Sequence, residues 1–236
     1  MIWTESRMFT EGQGVRPKTN LIIEIEGGDL LAVLDNGLLA YDATAATAVN
    51  DFIGGRPCIN MTNSGSGATD VVNGQSGRCL QPQAGKIVRV KGSFRMTTTT
   101  QEFFLGLAAT DTNIFSTYPT DYLAIRKATG DAVFYLVSRK ASGTEATWAL
   151  TPTIAVDTWY DFEIVAKRDA STAGKGSVQV YLGVADPGNV IPQAFNGTVE
   201  TQFPDTVDLG LSLGWRAGSA ANVSGYVGCL GLQVEG

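Results

Sequence analysis

A chain of 236 residues is long enough for one large β-sandwich or for one domain plus an arm, and its 44% hydrophobic content is too high for a disordered polymer. The formal net charge of −6 counts against a general nucleic-acid binder. No apolar run approaches the roughly 18 residues of a membrane-spanning helix, and the opening MIWTESRMFTEGQG has no basic stretch followed by an apolar one, so the protein is expected to be made and kept in the cytoplasm.

Residues 1–20 are polar with scattered Trp3, Met8 and Phe9 and follow neither a helical nor a strand period. They read as an extended arm whose Trp3 and Phe9 dock on another surface. In LIIEIEGGDLLAVLDNGLLAYD (21–42), LIIEI predicts a strand. Asn36-Gly37 between two apolar runs predicts a hairpin, because both turn positions need positive φ. Residues 43–57 hold the single plausible helix, a short one. Residues 60–78 (NMTNSGSGATDVVNGQSGR) predict a loop with at most one short strand about Val71-Val72, and with it a division into an N-terminal region (1–59) and a main sandwich (60–236).

From residue 86 the strand signal repeats. In IVRVKGSFRM, Val88, Val90, Phe94 and Met96 share one face and Arg89, Lys91, Ser93 and Arg95 the other. FFLGLAA (103–109) is apolar on both faces, as in a central strand. DYLAIRK and AVFYLVSRK flank a turn at 128–131. ATWAL, WYDFEIVAKR, SVQVYLG, TVDLGLSLGW and the closing YVGCLGLQVEG continue the series. Nine or ten strands after residue 80, with no βαβ alternation, predict a sandwich.

The chain contains no His. That removes Ser-His-Asp and Cys-His mechanisms and every His metal site. Glu24-Ile-Glu26-Gly-Gly-Asp29 lacks the Glu-x-Asp-x-x-Glu order of sandwich glucanases, and Asp161 and Glu163 read as solvated strand acids. Gly65-Ser-Gly67 is no phosphate loop, and Asp111, Asp121 and Asp131 read as turn acids. The odd, widely spaced Cys58, Cys79 and Cys229 fit free thiols, and a Cys58–Cys79 bridge has no specific support. The expectation is a protein without chemistry and without a cofactor. Trp148, Trp159, Tyr118, Tyr181 and Trp215 could stack on sugar rings, although such aromatics more often fill cores.

The run FFLGLAATDTNIF…DYLAIRK…GDAVFYLVSRK…TWYDFEIVAKR over 103–168 resembles a strand series in tailed-bacteriophage virion proteins that carry a concanavalin-A/laminin-G-like jelly roll. Trp159-Tyr160 and Val178-Gln-Val180-Tyr181 are similar to the paired strands of laminin-G-like domains, and 225–234 to their closing strand. The resemblance covers residues 60–236. It implies an all-β, antiparallel jelly-roll β-sandwich, here preceded by the arm and hairpin. It further implies a non-enzymatic virion structural protein, foremost a capsid decoration (cement) protein. Such a protein is assembled in the host cytoplasm and binds the major capsid protein on the outer shell as a dimer or trimer, with no nucleic acid and no membrane. The expected contact residues are Trp3, Arg7, Phe9 and Arg16 in the arm and the stripe Arg89, Lys91 and Arg95. The alternative is a carbohydrate-binding module or adhesin of the same fold, with Trp148 and Trp215 stacking on a glycan.

Overall fold

The computed structural model describes residues 21–26, 39–44, 46–63, 67–76, 80–109, 113–186, 188, 190–219 and 222–235. Among them there is no helix. Fifteen strands follow in order: β1 (Leu21–Glu26), β2 (Leu39–Thr44), β3 (Ala46–Ile53), β4 (Arg56–Asn63), β5 (Val71–Ser76), β6 (Ile87–Met96), β7 (Glu102–Ala108) and β8 (Tyr122–Lys127). Then come β9 (Val133–Arg139), β10 (Ala146–Thr153), β11 (Trp159–Arg168), β12 (Gly176–Val184), β13 (Gln193–Val199), β14 (Gly210–Arg216) and β15 (Ser224–Glu235).

Two antiparallel sheets face each other. The eight-stranded sheet runs β13-β12-β11-β6-β15-β4-β3, with β1 also paired to β15. β15 is long enough to take two neighbours on one edge, β4 along 224–227 and β1 along 229–234. The seven-stranded sheet runs β10-β9-β8-β7-β14-β5-β2. The period-2 residues of both sheets meet between them. Val88, Val90, Phe94, Tyr160, Phe162, Ile164, Val178, Val180 and Leu182 pack against Phe103, Leu105, Leu107, Leu123, Ile125, Leu211, Leu213 and Trp215. β7 is buried on both faces because it is central in its sheet and because a loop covers its outer side. The result is the expected all-β antiparallel sandwich.

Three expectations change. Residues 43–57 form no helix: 46–63 is a hairpin, turned by Gly54 and Gly55 at φ 61° and 80°. Two consecutive positive φ values are what a two-residue hairpin turn demands. Residues 60–78 are less of a loop than their composition predicts, since β4 runs to Asn63 and β5 spans six residues in the interior of its sheet. The division at 59/60 falls inside β4, and β1, β2 and β3 are strands of these same two sheets. The arm at 1–20 and the Asn36-Gly37 turn lie outside the described residues.

Candidate functional site

The outer face of the seven-stranded sheet gathers polar and aromatic side chains that the core does not need. Inward alternation of Phe103, Leu105, Ile125 and Leu213 turns their neighbours outward. Strand register then sets Arg126, Phe104, Gly214 and Asn73 in one row across β8, β7, β14 and β5. The adjoining row holds Glu102, Arg216 and Val71.

Residues 113–118 fold back over this face. The Asn113 side chain accepts the N–H of Phe115 at 3.0 Å and of Ser116 at 3.1 Å, which pins the turn. Ile114 and Phe115 are thereby buried against Val71, Phe104, Ala108, Tyr122, Ala124 and Val137, with Tyr118 and Tyr135 at the margin. Gly214 makes the approach feasible, because a Cβ there would stand 3.0 Å from the Phe115 ring.

Two guanidinium groups clamp the segment. Arg216 lies over Phe115 at 5.2 Å and pairs with Glu102 at 2.5 Å. Arg126 lies over Tyr118 at 5.1 Å and pairs with Glu145 at 2.6 Å. Glu145 also accepts the Tyr122 phenol and the Thr147 hydroxyl. Burial and then Glu145 push the Tyr122 phenol far above its ordinary value, and burial raises that of Tyr118.

Five buried polar atoms on and beside this face have no hydrogen-bond partner: both amide atoms of Asn73, Glu102 Oε2, Arg126 Nε and Asp70 Oδ2. Asn73 is 3% exposed. Buried polar groups are nearly always paired in folded proteins, so these atoms are exceptions that lie beneath the folded-back segment rather than on the open surface. Among the described residues no three His, Cys, Asp or Glu side chains converge as metal ligands.

The sequence-predicted residues lie elsewhere. Arg89, Lys91 and Arg95 are on β6, on the outer face of the other sheet. There Arg89 bridges Glu163 (3.0 Å) and Glu235 (2.9 Å), and Arg95 pairs with Asp157 (2.8 Å) beneath Tyr226. Asp161 is paired with Arg56 at 2.8 Å rather than merely solvated. Trp215 is 0% exposed in the core and offers no face to a sugar. Trp148 is half-buried, packed on the core and against Phe195 at 5.4 Å. Cys58 is a buried free thiol. Trp3, Arg7, Phe9 and Arg16 lie outside the described residues. Sequence reasoning named Tyr118 and missed Arg126, Glu145, Asn73, Glu102 and Arg216. The available signal was alternation in YLAIRK and LSLGWR, which turns Arg126 and Arg216 away from the core.

No protein-family model and no curated protein matches the chain. Solved structures do match its fold. A protein of unknown function from Shewanella oneidensis MR-1 is 13% identical at a TM-score of 0.61, covering 96% of this chain and 90% of its own. A PL-14 alginate lyase from Aplysia kurodai is 8% identical at 0.57, covering 89% and 97%. Peanut lectin is 9% identical at 0.54, covering 91% and 97%. The chain is a lectin-like, concanavalin-A-type β-sandwich.

One expectation is corrected here. A missing His was read as a missing chemistry, yet this sandwich also carries a polysaccharide lyase. A phenol can serve as acid or base where imidazole is absent, and Tyr118 and Tyr122 stand beside Arg126 and Glu145. The composition therefore gives no ground for ruling out an enzyme.

Proposed function

We propose that the chain is a carbohydrate-binding protein whose binding surface is the outer face of the seven-stranded sheet. The observation that carries this reading is the part-exposed group of Tyr118, Arg126 and Glu145 at the margin of this face. A sugar ring presents vicinal hydroxyls beside an apolar C–H face. Arg126 and Glu145 supply planar polar groups held by each other, and Tyr118 supplies a ring. Peanut lectin, by its name a lectin, shares the sandwich, which supports the reading at the level of fold.

The test is retention on a glycan array by the wild type, Tyr118→Ala and Arg126→Ala. Retention lost in both variants, with the melting transition kept, supports the proposal. No retention by the wild type, or retention untouched in both variants, overturns it. Retained glycans should also be followed for chain cleavage, because the matched alginate lyase makes turnover on such a fold the second outcome to measure.

A role on the virion rests on the strand series at 103–168, which corresponds to β7 through β11. Under that reading the protein decorates the major capsid protein through its arm. Copurification with particles in stoichiometric amount, lost on deletion of residues 1–20, is the corresponding test.

A further inference from the structure

We infer that Arg139 is the positioning residue of the surface around Tyr118 and Glu145: one guanidinium ties together the two chain segments that carry that ring and that carboxylate. The inference rests on the glycan reading for its effect on binding and on geometry alone for the placement.

Tyr118 lies on the connection between β7 and β8, and Glu145 on the one between β9 and β10. Both stand outside the strands, so strand register does not set them against each other. Arg139 ends β9 opposite Tyr122 in the β8–β9 ladder, and cross-strand partners share a face. Its Nε donates to the Gly143 carbonyl at 3.0 Å, its Nη2 to the Ser142 carbonyl at 3.1 Å and its Nη1 to the Tyr118 carbonyl at 3.4 Å. Three acceptors from two segments thus share one rigid fork. Gly143 is two residues from Glu145, whose carboxylate accepts the Tyr122 phenol and pairs with Arg126 at 2.6 Å.

The turn that Arg139 grips is strained. Ala141 and Ser142 stand at φ 49° and 59°, in the left-handed region that a Cβ disfavours. Such residues persist where their surroundings over-determine them. Here the surroundings come from the Tyr118 side. The Thr120 carbonyl accepts the Ser142 N–H at 2.8 Å, and the carboxylate of buried Asp121 accepts the Ala141 N–H at 3.0 Å. The strained turn and residues 118–121 therefore form one unit, and Arg139 closes it.

The test is Arg139→Lys, which keeps the charge and loses the fork. An ultraviolet titration follows the Tyr122 phenol, which burial and Glu145 raise and which Arg126 and Arg139 lower. With the charge kept and Glu145 released, that step should move to lower pH, and it should not move further in a Glu145→Gln chain. A merely structural loss lowers the melting transition and leaves the step where it is. Glycan retention should weaken several-fold. In a Ser142→Gly chain, where glycine takes the left-handed turn without strain, Arg139→Lys should fold and show smaller shifts of the same sign. A Tyr122 step unmoved by Arg139→Lys in either chain overturns the inference, and so does a moved step with retention unchanged. A moved step in a protein whose wild type retains no glycan upholds the placement by Arg139 and overturns the glycan reading instead.

Discussion

Asp205 and Lys140 meet at 2.6 Å at one end of the sandwich, with the Asp205 side chain wholly out of solvent. The second carboxylate oxygen takes Arg168 at 2.8 Å and the Gly174 N–H at 2.9 Å. One acid thus ties the β13–β14 connection to the end of β9, to β11 and to the β11–β12 turn. Removing it strands two cations with reduced hydration. Asp205→Ala is expected to lower unfolding free energy by about 3–5 kcal/mol, the range for breaking a buried pair from one side, read as a shift in urea midpoint at constant slope.

The same carboxylate predicts a pH dependence. Burial alone would raise its pKa, but Lys140, the Gly174 N–H and Arg168 together hold it below the ordinary 3.8. A depressed acid contributes its stability fully above the unfolded value and loses it as pH falls through the folded one. Wild-type stability should therefore fall on acidification below about pH 4, and Asp205→Asn should remove part of that fall. Parallel acid-unfolding curves for the two proteins would show the idea wrong.

Asn73 is a buried amide whose removal should stabilise the fold. Its amide is buried without partners, which costs about 1–3 kcal/mol. Asn73→Leu keeps the approximate volume and removes the unpaired groups. It should raise the urea midpoint by the equivalent of about 1 kcal/mol. A variant that is less stable than the wild type would mean the amide is already satisfied in solution.

Tyr122 should resist ionisation. Burial and Glu145 both raise its phenol, whereas Arg126 lowers it. Glu145→Gln should bring one tyrosine back toward the ordinary value of 10 in an ultraviolet titration, and Tyr122→Phe should delete that same step.

Gly225 on β15 has no room for a side chain, since a Cβ there would stand 2.1 Å from Trp215 Nε1 and 2.9 Å from the Phe103 ring. Gly225→Ala should destabilise by at least about 1–3 kcal/mol, the usual range for overpacking a core. A neutral result in chemical denaturation would show that the two sheets slide apart at little cost there.

Much of the fold was legible because β6, β11, β12 and β15 alternate strongly and bury one face each. Residues 43–57 were read as a short helix because their start, ATAATA, is rich in Ala, a good helix former. A two-residue glycine turn and pairing with β15 outweigh that local preference. β13 (QAFNGTV) escaped notice because it lies at a sheet edge and is largely exposed, so it has no strong apolar period to display.

The sequence by itself determined the class: many short alternating strands, glycine turns and no long helix, with the inner and outer side of each strand set by period 2. Lys127, read from the sequence only as a basic residue near a strand end, is instead buried, with its ammonium held by the carbonyls of Thr99 and Ala128. Only the tertiary structure decided which outward residues meet. Arg126, Gly214 and Asn73 come from strands far apart in the chain, and they share a row because β8, β7, β14 and β5 are neighbours in the sheet. Alternation within a strand carries no information about that neighbourhood, because strand order is settled by packing the whole core at once.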